Sequence, residues 1–274
     1  MSTSRRFSLA ALTVLELSPP EMVTAAAEAG YQHVGLRLIP ATPTDRSWPV
    51  IGNTPMVRDI QSRLNDGGIS VMDIEVFRLK PETQVKDFLP VIETAAMLGA
   101  RCLLTTGQDS NTARLAKNFA ALCALAAPLG ITVDLEFMPW TEVNSLASAA
   151  EVLYKSGCGN GGLVVDSLHF NRTRTRLDSL ASVPREWLHF AQLCDAPLET
   201  PATLDAILHE ARNSRMLPGK GGLDLRSLVR ALPQYLPISV EIPNGSAGTV
   251  SAVEHARQAL AAARELVADA DAMR

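Results

Sequence analysis

Four short apolar runs in this 274-residue chain carry an oxygen-bearing side chain at or near their ends. The runs are VDLEF, VVDSLHF, FAQLCDA and SVEIP, and the side chains are Glu136, Asp166, Gln192 and Glu241. Three carboxylates and one amide in a small space would be costly unless protons or a cation neutralised them. Oxygen donors of this kind suit a hard divalent ion and leave Mg²⁺, Mn²⁺ and Co²⁺ all open. If the four runs meet, these residues therefore predict one divalent metal site.

Each of these acids has a simpler explanation when it is taken alone, because a carboxylate at the end of a strand commonly caps the helix that follows. His169 follows Asp166 at a distance of about one helical turn. There it could contact a substrate or carry a proton, or it could pack as a histidine hydrogen-bonded to the neighbouring carboxylate. The choice depends on whether the strands that carry these residues end at the same place.

A repeated pattern of helix, glycine and strand predicts that the strands end at the same place. Alanine- and leucine-rich stretches end at Gly30, Gly68, Gly99, Gly130 and Gly157, about 38, 31, 31 and 27 residues apart, and an apolar β-prone run follows each. Glycine suits the left-handed residue that ends a helix. The runs are mostly continuous rather than alternating, as expected of a parallel sheet that is covered on both faces.

The count of these units predicts an α/β fold, a (β/α)8 TIM barrel that forms a single domain over residues 1–274. Strands are expected near residues 7–12, 31–38, 70–77, 101–106, 132–137, 163–166, 189–196 and 237–243. Helices are expected near residues 18–29, 55–67, 84–98, 111–128, 145–155, 173–181, 202–213, 224–232 and 249–267. An open doubly wound sheet is the alternative, but it usually has a glycine-rich turn after its first strand, which FSLAALTVLELSPP lacks.

Composition narrows the class of partner. The net charge is −4, only 5% of residues are aromatic, and no basic cluster is interleaved with aromatics, so a nucleic-acid partner is disfavoured.

No run reaches the roughly 18 apolar residues of a membrane span. Arg5 and Arg6 precede an apolar run as in an export signal, but the run is short and Glu16 interrupts its end. Four scattered cysteines without a C-x-x-C pair fit a reducing cytoplasm.

The chain resembles the xylose isomerase-like TIM-barrel superfamily, in its sugar phosphate isomerase/epimerase branch. The residues that carry the resemblance are Glu136, Asp166-x-x-His169, Gln192-x-x-Asp195 and Glu241, together with the loop RMLPGKG that begins at Arg215. That branch includes hydroxypyruvate isomerases, ketose 3-epimerases, inosose dehydratases and 3-dehydroshikimate dehydratases. The resemblance implies one divalent metal ion held by Glu136, Asp166, Gln192 and Glu241. A glutamine on strand seven is similar to the hydroxypyruvate isomerase and dehydroshikimate dehydratase members.

The resemblance also implies an activity. The expected enzyme is a sugar (phosphate) isomerase or epimerase of carbohydrate metabolism that acts on a small hydroxy-carbonyl substrate. Glu136 and Glu241 would serve as base and acid on opposite sides of the substrate, through an enediolate that the metal stabilises, and His169 would assist them. Family members are often dimers or tetramers, so a homodimer or homotetramer is expected.

Three further residues are candidates for substrate binding. Arg215 would contact the anionic or hydroxyl groups of the substrate, or it would be a solvated charge at a helix end. Glu75, with Arg78 nearby on strand three, and Arg37 on strand two are candidates for the edge of the site, and Glu75 could equally form a structural ion pair. Residues 40–54 after strand two form a loop that either covers the site or lies in solvent.

Other activities remain open. Phe137-Met138-Pro139-Trp140 stands where relatives often have a polar pair, which argues against a long polyhydroxylated sugar. The alternative is a metal-dependent lyase of the 3-dehydroshikimate dehydratase type, with His169 as the base. A non-catalytic binding protein is a further alternative. Hydrolysis by a trinuclear zinc site of the endonuclease IV type is disfavoured, because the chain has only five histidines.

Overall fold

Eight parallel strands close into a barrel in chain order, and the last strand pairs with the first. The computed structural model describes residues 5–41, 45–243 and 250–273. The strands are β1 (Phe7–Leu9), β2 (His33–Arg37), β3 (Ser70–Leu79), β4 (Cys102–Gly107), β5 (Thr132–Glu136), β6 (Gly161–Asp166), β7 (Leu188–Leu193) and β8 (Ile238–Val240). The predicted (β/α)8 barrel is confirmed. The first strand is shorter than expected, because the chain enters a 3-10 helix at Ala11–Val14.

Helices cover the outside of the barrel between successive strands. They are α1 (Pro19–Ala29), α2 (Pro55–Gly67), α3 (Leu89–Met97), α4 (Thr112–Ala126), α5 (Leu146–Ser156), α6 (Ser167–Arg172), α7 (Leu204–Asn213), α8 (Leu225–Ala231) and α9 (Ala252–Ala272). Within the described residues, no helix has the length and apolar character needed to cross a membrane. Gly30 ends α1 at φ 90° and donates its N–H to the last carbonyls of the helix, which explains one of the recurring glycines.

The helix predicted at residues 173–181 is wrong in position. Helix α6 begins directly after β6, because the Asp166 side chain accepts a hydrogen bond from the His169 N–H at 2.9 Å and so caps the helix at the strand end. A 3-10 helix at Leu177–Ser182 occupies most of the stretch where the longer helix was expected. The displacement matters, because it fixes His169 within one turn of Asp166.

The strands alternate between the outer apolar core and the barrel interior, and β5 shows this clearly. Val133 and Leu135 belong to the large core that lies between strands and helices. Asp134 and Glu136 take the other face, in register with Leu104 and Thr106 of the neighbouring strand. A small apolar cluster inside the barrel then separates its two ends; its members are Met72, Cys102, Leu104, Val164 and Phe190. The upper end, where the strands terminate, holds the candidate site.

Candidate active site

A cavity of about 530 Å³ opens at the carboxyl ends of the strands. Six of the eight predicted site residues line it: Arg37, Glu75, Glu136, His169, Arg215 and Glu241. The other two, Asp166 and Gln192, lie beneath it at 0% and 2% exposure and are direct register partners on β6 and β7. The predicted residues therefore gather at one place, as expected when strand ends converge on the mouth of a barrel.

Glu136, Asp166 and His169 form the tightest group of possible metal donors among the described residues. One donor atom from each lies within 4.8 Å of the others. His169 Nε2 lies 3.6 Å from Glu136 Oε1, which is beyond hydrogen-bonding distance. The Trp140 ring meets the imidazole of His169 edge to face, with centroids 4.9 Å apart. The histidine that the sequence assigns to proton transfer thus stands where it could also donate to an ion.

Arg215 connects two of the predicted ligands. Its Nη1 lies 2.6 Å from Asp166 Oδ2 and its Nη2 lies 2.8 Å from Glu241 Oε2. Its Nε donates to the Ala211 carbonyl at 2.8 Å, so all three guanidinium nitrogens have a partner. The side chain is 3% exposed. Arg215 is therefore the buried counter-charge of the acidic group rather than a solvated charge at a helix end.

Asp195 holds the loop that follows Arg215. Its carboxylate accepts hydrogen bonds from the backbone N–H groups of Gly219, Gly221 and Leu223 at 2.9 to 3.1 Å. Its backbone also pairs with Met216 in an isolated antiparallel bridge. Asp195 belongs to the sequence motif, but its contacts position the loop rather than enter the cavity.

The electrostatic environment separates the three acids. Burial, reinforced by Asp166 and Glu241, raises the pKa of Glu136 well above its usual range. Burial also raises the pKa of Glu241 to about 7, although Arg215 opposes the rise. For Asp166 burial acts in the same direction, but Arg215 and His169 outweigh it and the pKa is lowered. The site therefore holds one firmly ionised acid and two that accept protons readily.

His169 is neutral at physiological pH. Burial is the main reason that its pKa falls to about 4, and Arg215 lowers it further against the attraction of Asp166. A neutral imidazole retains one nitrogen that can accept a hydrogen bond or bind a metal ion. Its Nδ1 is buried and has no hydrogen-bond partner among the described residues.

Arg37 and Glu75 pair with each other across β2 and β3. Arg37 Nη2 lies 3.0 Å from Glu75 Oε1, and Arg37 Nη1 lies 3.4 Å from Asp45 Oδ2. Both residues line the cavity, so the ion pair and a substrate contact are compatible. The loop after β2 supplies Ala41 and Asp45 to the same wall, while residues 42–44 of that loop lie outside the described part of the chain.

The residues fit a divalent cation. Gln192 Oε1 is buried and lacks a hydrogen-bond partner within the described chain, next to Asp166 in register. An unpartnered buried amide oxygen is costly, and a cation would satisfy it. The oxygen donors Glu136, Asp166, Gln192 and Glu241 suit Mg²⁺ or Mn²⁺, and His169 adds a nitrogen donor that widens the choice toward zinc or cobalt.

Sequence reasoning missed or misjudged several contributors. Trp140 belongs to the segment that departs from the polar pattern of similar proteins, yet its ring packs against His169. Lys80 and Arg212 also line the cavity but occupy no recognisable motif. The sequence offers one signal for each: Lys80 directly follows the end of β3, and Arg212 lies three residues before Arg215.

Comparison with known proteins places the chain in a family. A family model described as "Xylose isomerase-like TIM barrel" matches residues 23–266. The chain belongs to this family. Among its curated relatives, the 3-dehydroshikimate dehydratase of Pseudomonas aeruginosa is 32% identical over 136 residues, which cover 48% of this chain and 21% of the dehydratase. An inosose isomerase of Bacillus subtilis is 26% identical over 163 residues, which cover 55% of each chain.

The matched segments thus span about a fifth of the dehydratase and about half of the isomerase. Solved structures agree with the fold over nearly the full length. The IolI protein, solved with a bound zinc atom, superposes with a TM-score of 0.77 at 20% identity and covers 96% of this chain and 98% of its own. A D-allulose 3-epimerase from Methylomonas gives 0.69 at 17% identity, with 97% and 100% covered. At these identities the structural matches establish the shared fold.

Proposed function

We propose that this barrel is a divalent-metal-dependent isomerase or epimerase that moves a proton at the carbon beside the carbonyl of a small hydroxy-carbonyl substrate. The observation that carries the proposal is the placement of Glu136 and Glu241 in the wall of one cavity, on strands three apart in the ring. Two acids that face a substrate from different sides can remove a proton on one side and return it on the other. The isomerases and epimerases among the relatives support this reading.

The metal would be held by Glu136, Asp166, Gln192 and Glu241. A bound divalent ion polarises a carbonyl and makes the neighbouring C–H bond more acidic. The zinc bound in the IolI structure supports metal binding by a barrel of this fold. The unpartnered Gln192 oxygen supports the same conclusion from this chain's own residues.

The remaining groups act through their own chemistry. Glu136 accepts a proton from carbon while Glu241 returns one. Neutral His169 accepts or donates a hydrogen bond to a substrate oxygen. Arg215 holds Asp166 and Glu241 in place, and Met138 and Trp140 form an apolar part of the wall that limits water.

A dehydratase is the second candidate, favoured by the segment that is 32% identical to a 3-dehydroshikimate dehydratase and by the apolar wall beside Glu136. The first step is the same removal of a proton from carbon. In this case the electrons form a carbon–carbon double bond, the bond to the β-hydroxyl breaks, and the hydroxyl takes up the proton removed from carbon and leaves as water. His169 would be the base.

Metal analysis and a substrate panel test both candidates. We would measure metal content in the wild type, Asp166→Ala and Glu241→Gln, and assay 3-dehydroshikimate, hydroxypyruvate and several ketoses. The exposed Glu186, which lies before β7 at the opposite end of the barrel, provides a matched control as Glu186→Gln. One ion per chain, lost in the site variants and kept in the control, is expected. A new ultraviolet absorbance with 3-dehydroshikimate would select the dehydratase, and absence of metal after Mn²⁺ is supplied would contradict both.

A further inference from the structure

The charged residues around the cavity are unequally paired. Arg37 is bound to Glu75 and Asp45, and Arg215 is bound to Asp166 and Glu241. These two arginines are therefore compensated by acids of the floor and wall. They have little capacity left to attract a further negative group.

Three other cations line the same cavity without such compensation. They are Arg78 and Lys80 at the end of β3 and Arg212 at the end of α7. Within the described residues, none of the three has an acid within salt-bridge distance of its side chain. The segments 42–44 and 244–249, which the structure does not describe, contain no charged residue.

Arg78 is the most constrained of the three. It is half-buried, and its burial together with Arg37 and Arg212 lowers its pKa, while Asp45 opposes the change only as the smallest influence. A partly desolvated guanidinium that faces two like charges gains much from an anion. A neutral sugar hydroxyl cannot neutralise this charge.

We infer that the substrate carries an oxyanion, either a carboxylate or a phosphate, which Arg78 binds with the help of Lys80 and Arg212 at the mouth of the cavity. The inference rests on the proposed function, because it assumes that the substrate's hydroxy-carbonyl end reaches Glu136 and Glu241. The cavity of about 530 Å³ holds both ends of such a molecule. The enzyme then acts on hydroxy-carbonyl acids or sugar phosphates in preference to free sugars.

Matched pairs of probes test this without any need for turnover. Binding would be measured by calorimetry, in chelator-treated and in Mn²⁺-loaded protein. The pairs are 3-dehydroshikimate with its methyl ester, and D-fructose 6-phosphate with D-fructose. Each pair differs mainly in the anion, so the tighter-binding charged member identifies the source as carboxylate or phosphate.

The expected result is that the charged member of at least one pair binds ten-fold or more tightly than its neutral counterpart, and that Arg78→Gln removes most of this preference. Arg212→Gln is expected to give a smaller loss, and it provides a second test if the half-buried Arg78 position tolerates no change. Arg101→Gln is the control, because Arg101 is exposed and precedes β4 at the opposite end of the barrel. It is expected to bind all probes as the wild type does.

Equal binding of charged and neutral members in both pairs would overturn the inference. So would an equal loss of affinity for both members in Arg78→Gln. Failure of the proposed function gives a different result: no metal and no turnover, with the charge preference and its dependence on Arg78 still present in chelator-treated protein.

Discussion

Strand β5 carries two acids, Asp134 and Glu136, and each meets a histidine inside the barrel. Asp134 Oδ1 lies 2.5 Å from His189 Nδ1, and Asp134 Oδ2 accepts a further hydrogen bond from Thr132 at 2.8 Å. Glu136 lies 3.6 Å from His169 Nε2 and forms no hydrogen bond with it. The same pair of residue types thus occurs twice, two residues apart on one strand, with different geometry.

The two histidines respond in opposite directions. Burial lowers the pKa of His189, but the hydrogen bond to Asp134 outweighs it and the pKa is raised. Burial dominates for His169, and its pKa falls to about 4. A satisfied acid–histidine pair stabilises the fold, whereas a close but unbonded pair keeps its donors and acceptors for another partner. The contrast separates a structural pair from a candidate site better than residue type does.

The largest expected effect comes from exchanging the acids for amides. Glu136→Gln is expected to reduce turnover by about a thousand-fold or more, because it removes a proton acceptor, while the protein remains folded. Asp134→Asn is expected to cost roughly 1 to 3 kcal/mol of unfolding free energy, because it weakens buried hydrogen bonds. Turnover measured alongside urea denaturation checks both. Loss of activity in Asp134→Asn without loss of stability would contradict the assignment.

Gly162→Ala is expected to disturb only the structural pair of Asp134 and His189. A Cβ at Gly162 would overlap Asp134 Oδ1 and the His189 ring. Overpacking of this kind is expected to destabilise the protein by about 2 kcal/mol, with metal content unchanged. Gly159→Ala is the control, because a Cβ there meets no atom within 4 Å. Denaturant unfolding of the two variants should therefore differ, and equal stability would show that the pair is not rigidly held.

His169 is expected to make the chelator-treated protein less stable in mild acid. Its folded pKa of about 4 lies below the ordinary 6.5, so the unfolded chain takes up the proton first as pH falls. Stability therefore declines as pH falls from about 6.5 to about 4, by up to about 3 kcal/mol from this residue. His169→Gln is expected to flatten the decline. An unchanged slope in the variant would mean that the histidine is charged in the folded protein.

His189 is expected to act with the opposite sign and a smaller size, since a quarter of its side chain is exposed. Its folded pKa is raised, so its stabilising contribution is full below the unfolded pKa and is lost as pH rises through the folded value. His189→Gln should therefore cost more stability in mild acid than in alkaline solution. Thermal unfolding at about pH 6 and about pH 9 measures the difference, and a greater cost in alkali would reverse the interpretation.

Much of the barrel and the gathering of the site could be predicted from the sequence. Continuous apolar runs that end at Glu136, Asp166 and Glu241 indicate parallel strands whose ends converge, and convergence alone brings the acids together. Whether each acid binds metal stays a prediction. The sequence did not predict that α6 begins directly after β6. An Asp at the end of a strand is found both where a helix begins at that residue and where a loop comes first.

Side-chain contacts between residues far apart in the sequence also could not be predicted. Arg215 meets Asp166 across 49 positions, and its link to Glu241 depends on the exact closure of the barrel. The residues alone left Arg215 either at the substrate or in solvent, and its burial between two acids follows from the three-dimensional fold. The role of Trp140 was hidden for the same reason, since only the structure brings its ring to His169.

The loop after Arg215 is held from below through its backbone rather than through its side chains. The Asp195 carboxylate binds backbone N–H groups at Gly219, Gly221 and Leu223, and a Cβ at Gly221 would overlap Asp195. Exposed Lys220 lies between two of these anchored glycines. A mutant library can therefore vary position 220 freely and keep both glycines, so that the loop keeps its shape in every variant.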